Sequence, residues 1–385
     1  MDFEFAAPGR IVFGPGSISR LPGLAAGLGR TPLVVTGGTP ERHAAALAAL
    51  ADAGLPPVTF PVAGEPSVEV AASGAALARE NGCDLVVSIG GGGALDAGKA
   101  VAALMANTDD IYEYLEVVGK ARPLENRPAP HIAAPTTAGT GAEATANAVL
   151  TAKAQRVKVS LRSPRMLPTI ALVDPLLTLT VPPQVTAATG LDALTQLLEA
   201  FTSNKANPLT SALCREGLSR AARSLRRAFD DGSNAAARED MALASLFSGM
   251  ALANAKLGAV HGFAAPLGGL FDAPHGQVCA SLLPFVVRAN IAALGERTPQ
   301  SPALAAYAEA ARILTGKQSA TAQDCAAWIE ELCASFDTPS LSRLGVTRAD
   351  IPLVVEKASR ASSMKGNPVE LTAGELSAIL EAALV

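Results

Sequence analysis

Four histidines occur in 385 residues, and two share one short window, His261-Gly-Phe-Ala-Ala-Pro-Leu-Gly-Gly-Leu-Phe-Asp-Ala-Pro-His275-Gly. Histidine is the side chain most used for metal binding and for proton transfer near neutral pH. The window is punctuated by glycine and proline and lies between two helical regions, a common setting for a site. Taken alone, two satisfied histidines at helix ends are the plainer reading. Upstream, Asp192 and Gln196 stand four apart in a helical stretch, 189–199, so they share a face. A polar pair buried in so apolar a stretch needs partners; a helix N-cap and a surface glutamine are the alternatives. If Asp192 faces His261 and His275, oxygen and nitrogen donors converge on one point. That would be a Zn2+ or Fe2+ site with positions open for substrate.

A second constellation is made of backbone. Ile89-Gly90-Gly91-Gly92-Gly93-Ala94-Leu95-Asp96-Ala97-Gly98-Lys99 follows a buried apolar run and opens a helix. Consecutive glycines let a ligand approach the main chain, and the helix N-terminus presents free N–H groups and partial positive charge. A pyrophosphate suits such a place. A tight turn without a ligand needs one glycine, whereas four in a row cost conformational entropy in the unfolded chain. The spacing is neither the Rossmann nor the Walker pattern. A second loop of small residues, Pro135-Thr136-Thr137-Ala138-Gly139-Thr140-Gly141-Ala142-Glu143, also follows a strand and offers hydroxyls on the same sheet edge.

The elements that must position these groups fall into two halves. Short β-rich runs at 33–36, 58–62, 85–89 and 131–134 alternate with helical stretches near 41–53, 68–81 and 94–106. That alternation predicts βαβ units and a Rossmann-like parallel sheet. An antiparallel hairpin is expected at 148–152 and 157–161, and one more strand at 169–173. After Pro182-Pro183 the periodicity is helical, with segments near 186–202, 208–229, 236–256, 275–294, 303–316, 320–335, 348–361 and 373–384. The expected organisation is an α/β domain, 1–180, followed by an all-α helical domain, 181–385.

Bulk properties narrow the function. The formal net charge of −4 argues against a nucleic-acid or polybasic membrane role. No run of about 18 apolar residues stands out, so no transmembrane helix is expected, and the N-terminus lacks signal-peptide character. Cys83, Cys214, Cys279, Cys325 and Cys333 are odd in number and scattered, and read as reduced thiols of a cytoplasmic protein.

At this point the chain resembles the iron-containing (group III) alcohol dehydrogenases, in the superfamily that also holds glycerol dehydrogenase, maleylacetate reductase and 3-dehydroquinate synthase. The motifs that carry the likeness are Gly90-Gly91-Gly92-Gly93-x-x-Asp96-x-x-Lys99, Pro135-Thr136-Thr137-Ala138-Gly139-Thr140-Gly141, Asp174-Pro175, Thr189-Gly190-Leu191-Asp192-Ala193-Leu194-Thr195, His261-Gly-x-x-x-Pro266-Leu267-Gly268 and Pro274-His275-Gly276. The resemblance implies a dehydroquinate synthase-like fold, a nucleotide-binding domain followed by a helical one, with cofactor and metal in the cleft between them. It implies pyrophosphate on Gly91, Gly92 and Gly93, further cofactor contacts from Asp96, Thr136, Thr137 and Thr140, and a ribose contact from Lys158. Asp192, His261 and His275 match three of the family's four metal ligands and would be the catalytic residues. Gln196 occupies the fourth position, normally a histidine.

Two more departures bear on chemistry. Ala265 stands where the family usually carries a histidine near the nicotinamide, so proton transfer is left to water and a ribose hydroxyl. Gly37, Gly38 and Thr39 replace the acidic residue that usually meets the ribose 2′-hydroxyl of NAD. A carboxylate would repel a 2′-phosphate, so its loss permits NADP; Arg42 is a candidate partner for that group, an inert exposed helix residue being the alternative. The reading is therefore a NAD(P)-dependent oxidoreductase, NADP favoured over NAD, interconverting an alcohol and an aldehyde or ketone. Fe2+ or Zn2+ would polarise the substrate oxygen. The alternative is a metal-independent, maleylacetate reductase-like enzyme acting on a carboxylated enone or keto acid. A small-molecule substrate and a homodimer are expected, with no nucleic-acid or membrane partner.

Overall fold

A computed structural model describes residues 2–385. The chain divides into two compact units: Ala6–Thr137 with Gly141–Thr180, and Val181–Val385 with Ala138–Thr140 and residues 2–5. The first unit runs β1 (Arg10–Phe13), α1 (Leu21–Ala26), β2 (Pro32–Gly37), α2 (Ala44–Asp52), β3 (Val58–Val62), α3 (Val68–Glu80), β4 (Leu85–Gly90) and α4 (Gly92–Ala106). It continues through β5 (His131–Pro135), β6 (Asn147–Ala152), β7 (Val157–Arg162) and β8 (Ile170–Val173). Six strands form a parallel sheet in the order β1-β8-β5-β4-β2-β3. Strand β4 is buried along its whole length, as a central strand covered on both faces must be. The chain leaves β2 toward β3 on one side and β4 toward β5 on the other. The β2/β4 junction is thus the topological switch point, where open α/β sheets receive ligands beyond their carboxyl ends.

The hairpin forms as a separate antiparallel pair, β6 with β7, in which Thr151 stands opposite Lys158. Strand β1 was not expected; it is a four-residue edge strand, half exposed, with too little apolar pattern to announce itself. The Asp174-Pro175 motif locks that edge. The Asp174 carboxylate accepts the Gly16, Ile18 and Leu176 amides at 3.0, 3.1 and 3.0 Å.

The second unit is helical: α5 (Pro183–Thr202), α6 (Pro208–Asp230), α7 (Ala235–Ala255), α8 (Ala259–Phe271), α9 (His275–Arg297), α10 (Pro302–Thr315), α11 (Ala322–Ser335), α12 (Ile351–Ser359) and α13 (Ala373–Ala383). Helix α8 corrects the reading of the histidine window as an irregular stretch. Gly262, Pro266, Gly268 and Gly269 are poor helix formers, but Phe263, Ala264 and Leu267 are wholly buried, and that packing overrides propensity. A Cβ on Gly262 would lie 2.7 Å from Met364 Cε, so the methionine's flexible end packs against the bare backbone there. Helix α9 also departs from expectation, being long and apolar enough to span a membrane. However, 72% of its apolar window is packed inside the structure, as for a central core helix.

Candidate active site

Helix α5 is buried almost throughout, so its polar residues must find partners inside. Asp192 sits mid-helix, which removes the N-cap alternative, and Gln196 is buried rather than on the surface. Glu199 follows on the same face, seven residues after Asp192 and three after Gln196. Helix α8 reaches this face because α7 and α8 meet at 99° across residues 256–258. Its first turn is held by Glu199 Oε1, which accepts the Val260 amide at 2.7 Å, and by Asn367 Oδ1, which accepts the Ala259 amide at 3.1 Å. A carboxylate there is favoured by the helix dipole. Helix α9 packs against α5 through its first turn. Its Gly276 lies so close to α5 that a Cβ would stand 2.6 Å from the Ala188 carbonyl oxygen, one turn before Asp192. That approach delivers His275.

The result is a tight cluster. Asp192 Oδ1 is 3.3 Å from His261 Nε2 and 3.7 Å from His275 Nε2. The two imidazole centroids are 5.4 Å apart. Cys279, one turn beyond His275 on α9, places Sγ 3.9 Å from His261 Nε2 and 3.7 Å from His275 Nε2. Asp192 Oδ1 is buried and accepts no hydrogen bond from any of the described residues. An orphaned carboxylate oxygen aimed at two imidazoles and a thiol fits a cation well. The Asp192, His261 and Cys279 side chains are buried, while His275 is 35% exposed, so the cluster opens on that side.

The electrostatics agree. Burial works against charge at His261, yet Cys279, Asp192 and Glu199 outweigh it and hold its pKa well above the ordinary value. Burial likewise opposes charge at His275, where Cys279 and Asp192 win. At Asp192 and Cys279 burial opposes ionisation, but the two histidines hold both groups below their usual values. The pocket favours positive charge between two acidic donors. His261 Nδ1 is 2.7 Å from Glu199 Oε2; donating that proton leaves Nε2 as the lone-pair side, the usual outer-shell arrangement of a ligating histidine.

Gln196 departs from the role that the resemblance suggested. Its amide Nε2 donates to Asp192 Oδ2 at 3.1 Å, while its carbonyl oxygen accepts from Ser248 Oγ at 2.8 Å. The carboxylate demands a donor, so the amide turns its oxygen away. Glu199 and Cys279 are the residues that sequence reasoning missed. Their only signal was spacing, Glu199 on the face of Asp192 and Gln196, and Cys279 four residues after His275.

The glycine loops gather at the carboxyl ends of β2, β4 and β5. Thr136 donates its amide to the Gly90 carbonyl at 2.9 Å, and a Cβ on Gly90 would come within 3.1 Å of the Gly37 amide nitrogen. Gly91 precedes the first residue of α4. A Cβ at Gly93 would strike the Gly64 carbonyl at 2.3 Å, so packing explains that glycine. Gly91 is different. Its φ is −73° and a Cβ would meet only Thr137, at 3.5 and 3.6 Å. The fold does not require glycine there. Gly38 follows β2, and Thr39 flanks a short 3-10 turn, Pro40–His43, bearing exposed Arg42. Asp96 is engaged within the fold, by Lys99 Nζ at 2.9 Å and by the Val149 amide at 3.0 Å. Lys158 is paired with Glu65 at 2.5 Å. Thr140 belongs to the helical unit. A cavity of about 630 Å3 lies at the opposite, amino end of the sheet, beside Gly9, His131 and Thr169, away from these loops.

A parallel sheet with glycine loops at its switch point, and a four-donor cation cluster in a helical unit, are the equipment of a nucleotide- and metal-dependent enzyme. Comparison with known proteins makes the class specific. Residues 8–175 match the model for iron-containing alcohol dehydrogenase, and residues 186–384 match that for the C-terminal part of the Fe-containing alcohol dehydrogenase family. The chain belongs to the iron-containing alcohol dehydrogenase family. It is 40% identical over 316 residues to 1,3-propanediol dehydrogenase of Klebsiella pneumoniae, covering 80% of this chain and 78% of that protein. A crystal structure of 1,3-propanediol oxidoreductase superposes with a TM-score of 0.91 at 35% identity, over 100% of both chains. Sulfoacetaldehyde reductase from Bifidobacterium kashiwanohense, in complex with NAD+, gives 0.87 at 30% identity, over 100% of this chain and 99% of that one. The chain is an oxidoreductase that interconverts alcohols and carbonyl compounds with a nicotinamide dinucleotide and a divalent metal. The relatives named here do not support the enone-reductase alternative.

Proposed function

We propose that the chain is an NADP-preferring dehydrogenase of short alcohols, acting in the cytoplasm as a homodimer. In this reading the α/β part, 1–180, binds the dinucleotide, and the helical part, 181–385, binds metal and substrate. The observation that carries it is the convergence of Asp192, His261 and His275 around an unpartnered, buried carboxylate oxygen. When bound, the dinucleotide supplies the hydride carrier and the cation the Lewis acid for the substrate oxygen. Asp192, His261 and His275 hold the cation. Glu199 orients His261, and His275 borders the open side through which substrate enters. Ala265 places no side-chain proton carrier one turn beyond His261 on α8. Gly91, Gly92 and Gly93 with Thr136 and Thr137 receive the pyrophosphate, with Thr140 and Lys158 as further contacts. Preference for short substrates is supported by the propanediol relatives.

The NADP preference is supported by the absence of a carboxylate at Gly37, Gly38 and Thr39 and by exposed Arg42 nearby. The test is metal analysis of the purified protein together with parallel NADPH and NADH titrations and turnover of short alcohols and aldehydes. Tighter NADPH binding, and turnover restored by metal after chelation, are expected. Equal or tighter NADH binding overturns the preference, and full activity after exhaustive chelation overturns the metal role.

A Gly91→Ala substitution probes the phosphate site. The added methyl fits the fold at ordinary contact distance, so the melting temperature should hold. The methyl occupies the ligand's line of approach, so dinucleotide affinity should fall on the order of 10-fold, about 1.4 kcal/mol. Unchanged affinity in a fluorescence titration would remove Gly91 from the site.

A further inference from the structure

We propose that Cys279 binds the cation as a thiolate, completing an Asp192/His261/His275/Cys279 set in place of the histidine missing at position 196. The inference rests on the metal reading above and names its fourth ligand. One donor atom from each of the four residues lies within 4.8 Å of all the others. Four of the six donor separations, 3.3, 3.7, 3.7 and 3.9 Å, lie close to the edges of about 3.3–3.8 Å expected of a tetrahedron whose donors sit about 2.0–2.3 Å from one ion. Gln196 does not compete, because its carbonyl is bound to Ser248 and its amide faces Asp192. His275 and Cys279 share one face of α9, so one rigid element sets both. Among the described residues, Cys214, Cys325 and Cys333 are buried in other parts of the helical core.

The charge balance is also better. Asp192 and a Cys279 thiolate neutralise a dication between two neutral imidazoles, which a glutamine cannot do. Forming the bond releases the thiol proton to solvent and involves no redox change. Sulfur is a soft donor, so the exchange of histidine for cysteine tilts the site from Fe2+ toward Zn2+.

Cobalt(II) added to metal-free protein tests this directly. The wild type should show a near-ultraviolet sulfur-to-cobalt charge-transfer band. Cys279→Ala should lose the band and at least about 100-fold in cobalt affinity, beyond what outer-shell changes produce. Gln196→Ala should keep the band. If the wild type binds one Co2+ without the band, Cys279 is not a ligand, and the metal site of Asp192, His261 and His275 stands. If the folded wild type binds no Co2+, the metal reading itself falls and this inference with it. Should Cys279→Ala fail to fold, X-ray absorption of the zinc-loaded wild type decides. A sulfur scatterer at about 2.3 Å supports the proposal, and nitrogen and oxygen scatterers alone overturn it.

Discussion

Replacing Asp192 with alanine is expected to abolish metal retention and to lower turnover on the order of 1000-fold. Asp192 is the carboxylate on which both histidines converge, and its buried Oδ1 accepts no hydrogen bond from the described residues. A Lewis acid at the reacting oxygen contributes several kcal/mol of charge stabilisation, and about 4 kcal/mol corresponds to that loss in rate. Alanine is well tolerated in a helix such as α5, so the unit should fold. Dinucleotide affinity, measured in parallel, should be unchanged, which separates loss of the cation from general damage. Asp192→Asn keeps the shape but removes the charge and should behave similarly. Undiminished metal content and metal-dependent rates in both variants would dismiss Asp192 as a ligand.

The second large effect concerns stability and pH. Glu143 closes the second small-residue loop, wholly buried, and its Oε1 has no hydrogen-bond partner among the described residues. Burial pushes its carboxyl up to about 7, against its own backbone and the attraction of Lys99. In the unfolded chain the group loses its proton near pH 4.5. Between pH 4.5 and about 7 the folded state therefore binds more protons than the unfolded one, and stability falls as pH rises through that window. The loss levels off above pH 7 and totals about 3 kcal/mol. Glu143→Gln stays neutral and escapes this penalty. Its melting temperature should gain on the wild type steadily from about pH 5 to pH 7. Parallel curves over that range would show that Glu143 carries no raised pKa.

Much of this architecture is legible in the chain. Buried β runs alternating with helices announce the parallel sheet, because central strands must be apolar on both faces. The glycine run at the end of β4 marks the switch-point loop, where Gly90 and Gly93 allow close packing and Gly91 leaves main chain open to a ligand. Asp192, His261 and His275 are visible as scarce polar residues in apolar surroundings, and the ordered motifs around them identify the family. Strand β1 was hidden by its shortness. Helix α8 was hidden by its own glycines and proline, because local propensity is a weak guide when a whole face is buried.

What the sequence determined by itself was which side chains are available and on which helix face each one stands. It placed Asp192, Gln196 and Glu199 on one face of α5, and His275 and Cys279 on one face of α9. Only the tertiary structure decided which of them meet. The bend between α7 and α8, with Glu199 holding the first turn of α8, aims His261 at Asp192. The close passage of Gly276 over Ala188 brings His275 and Cys279 to the same point. The carboxylate then takes the Gln196 amide as its donor and turns the carbonyl away. Donor convergence depends on separations of a few ångströms between helices far apart in the chain. Such distances are set by close packing, which spacing along a single element does not encode.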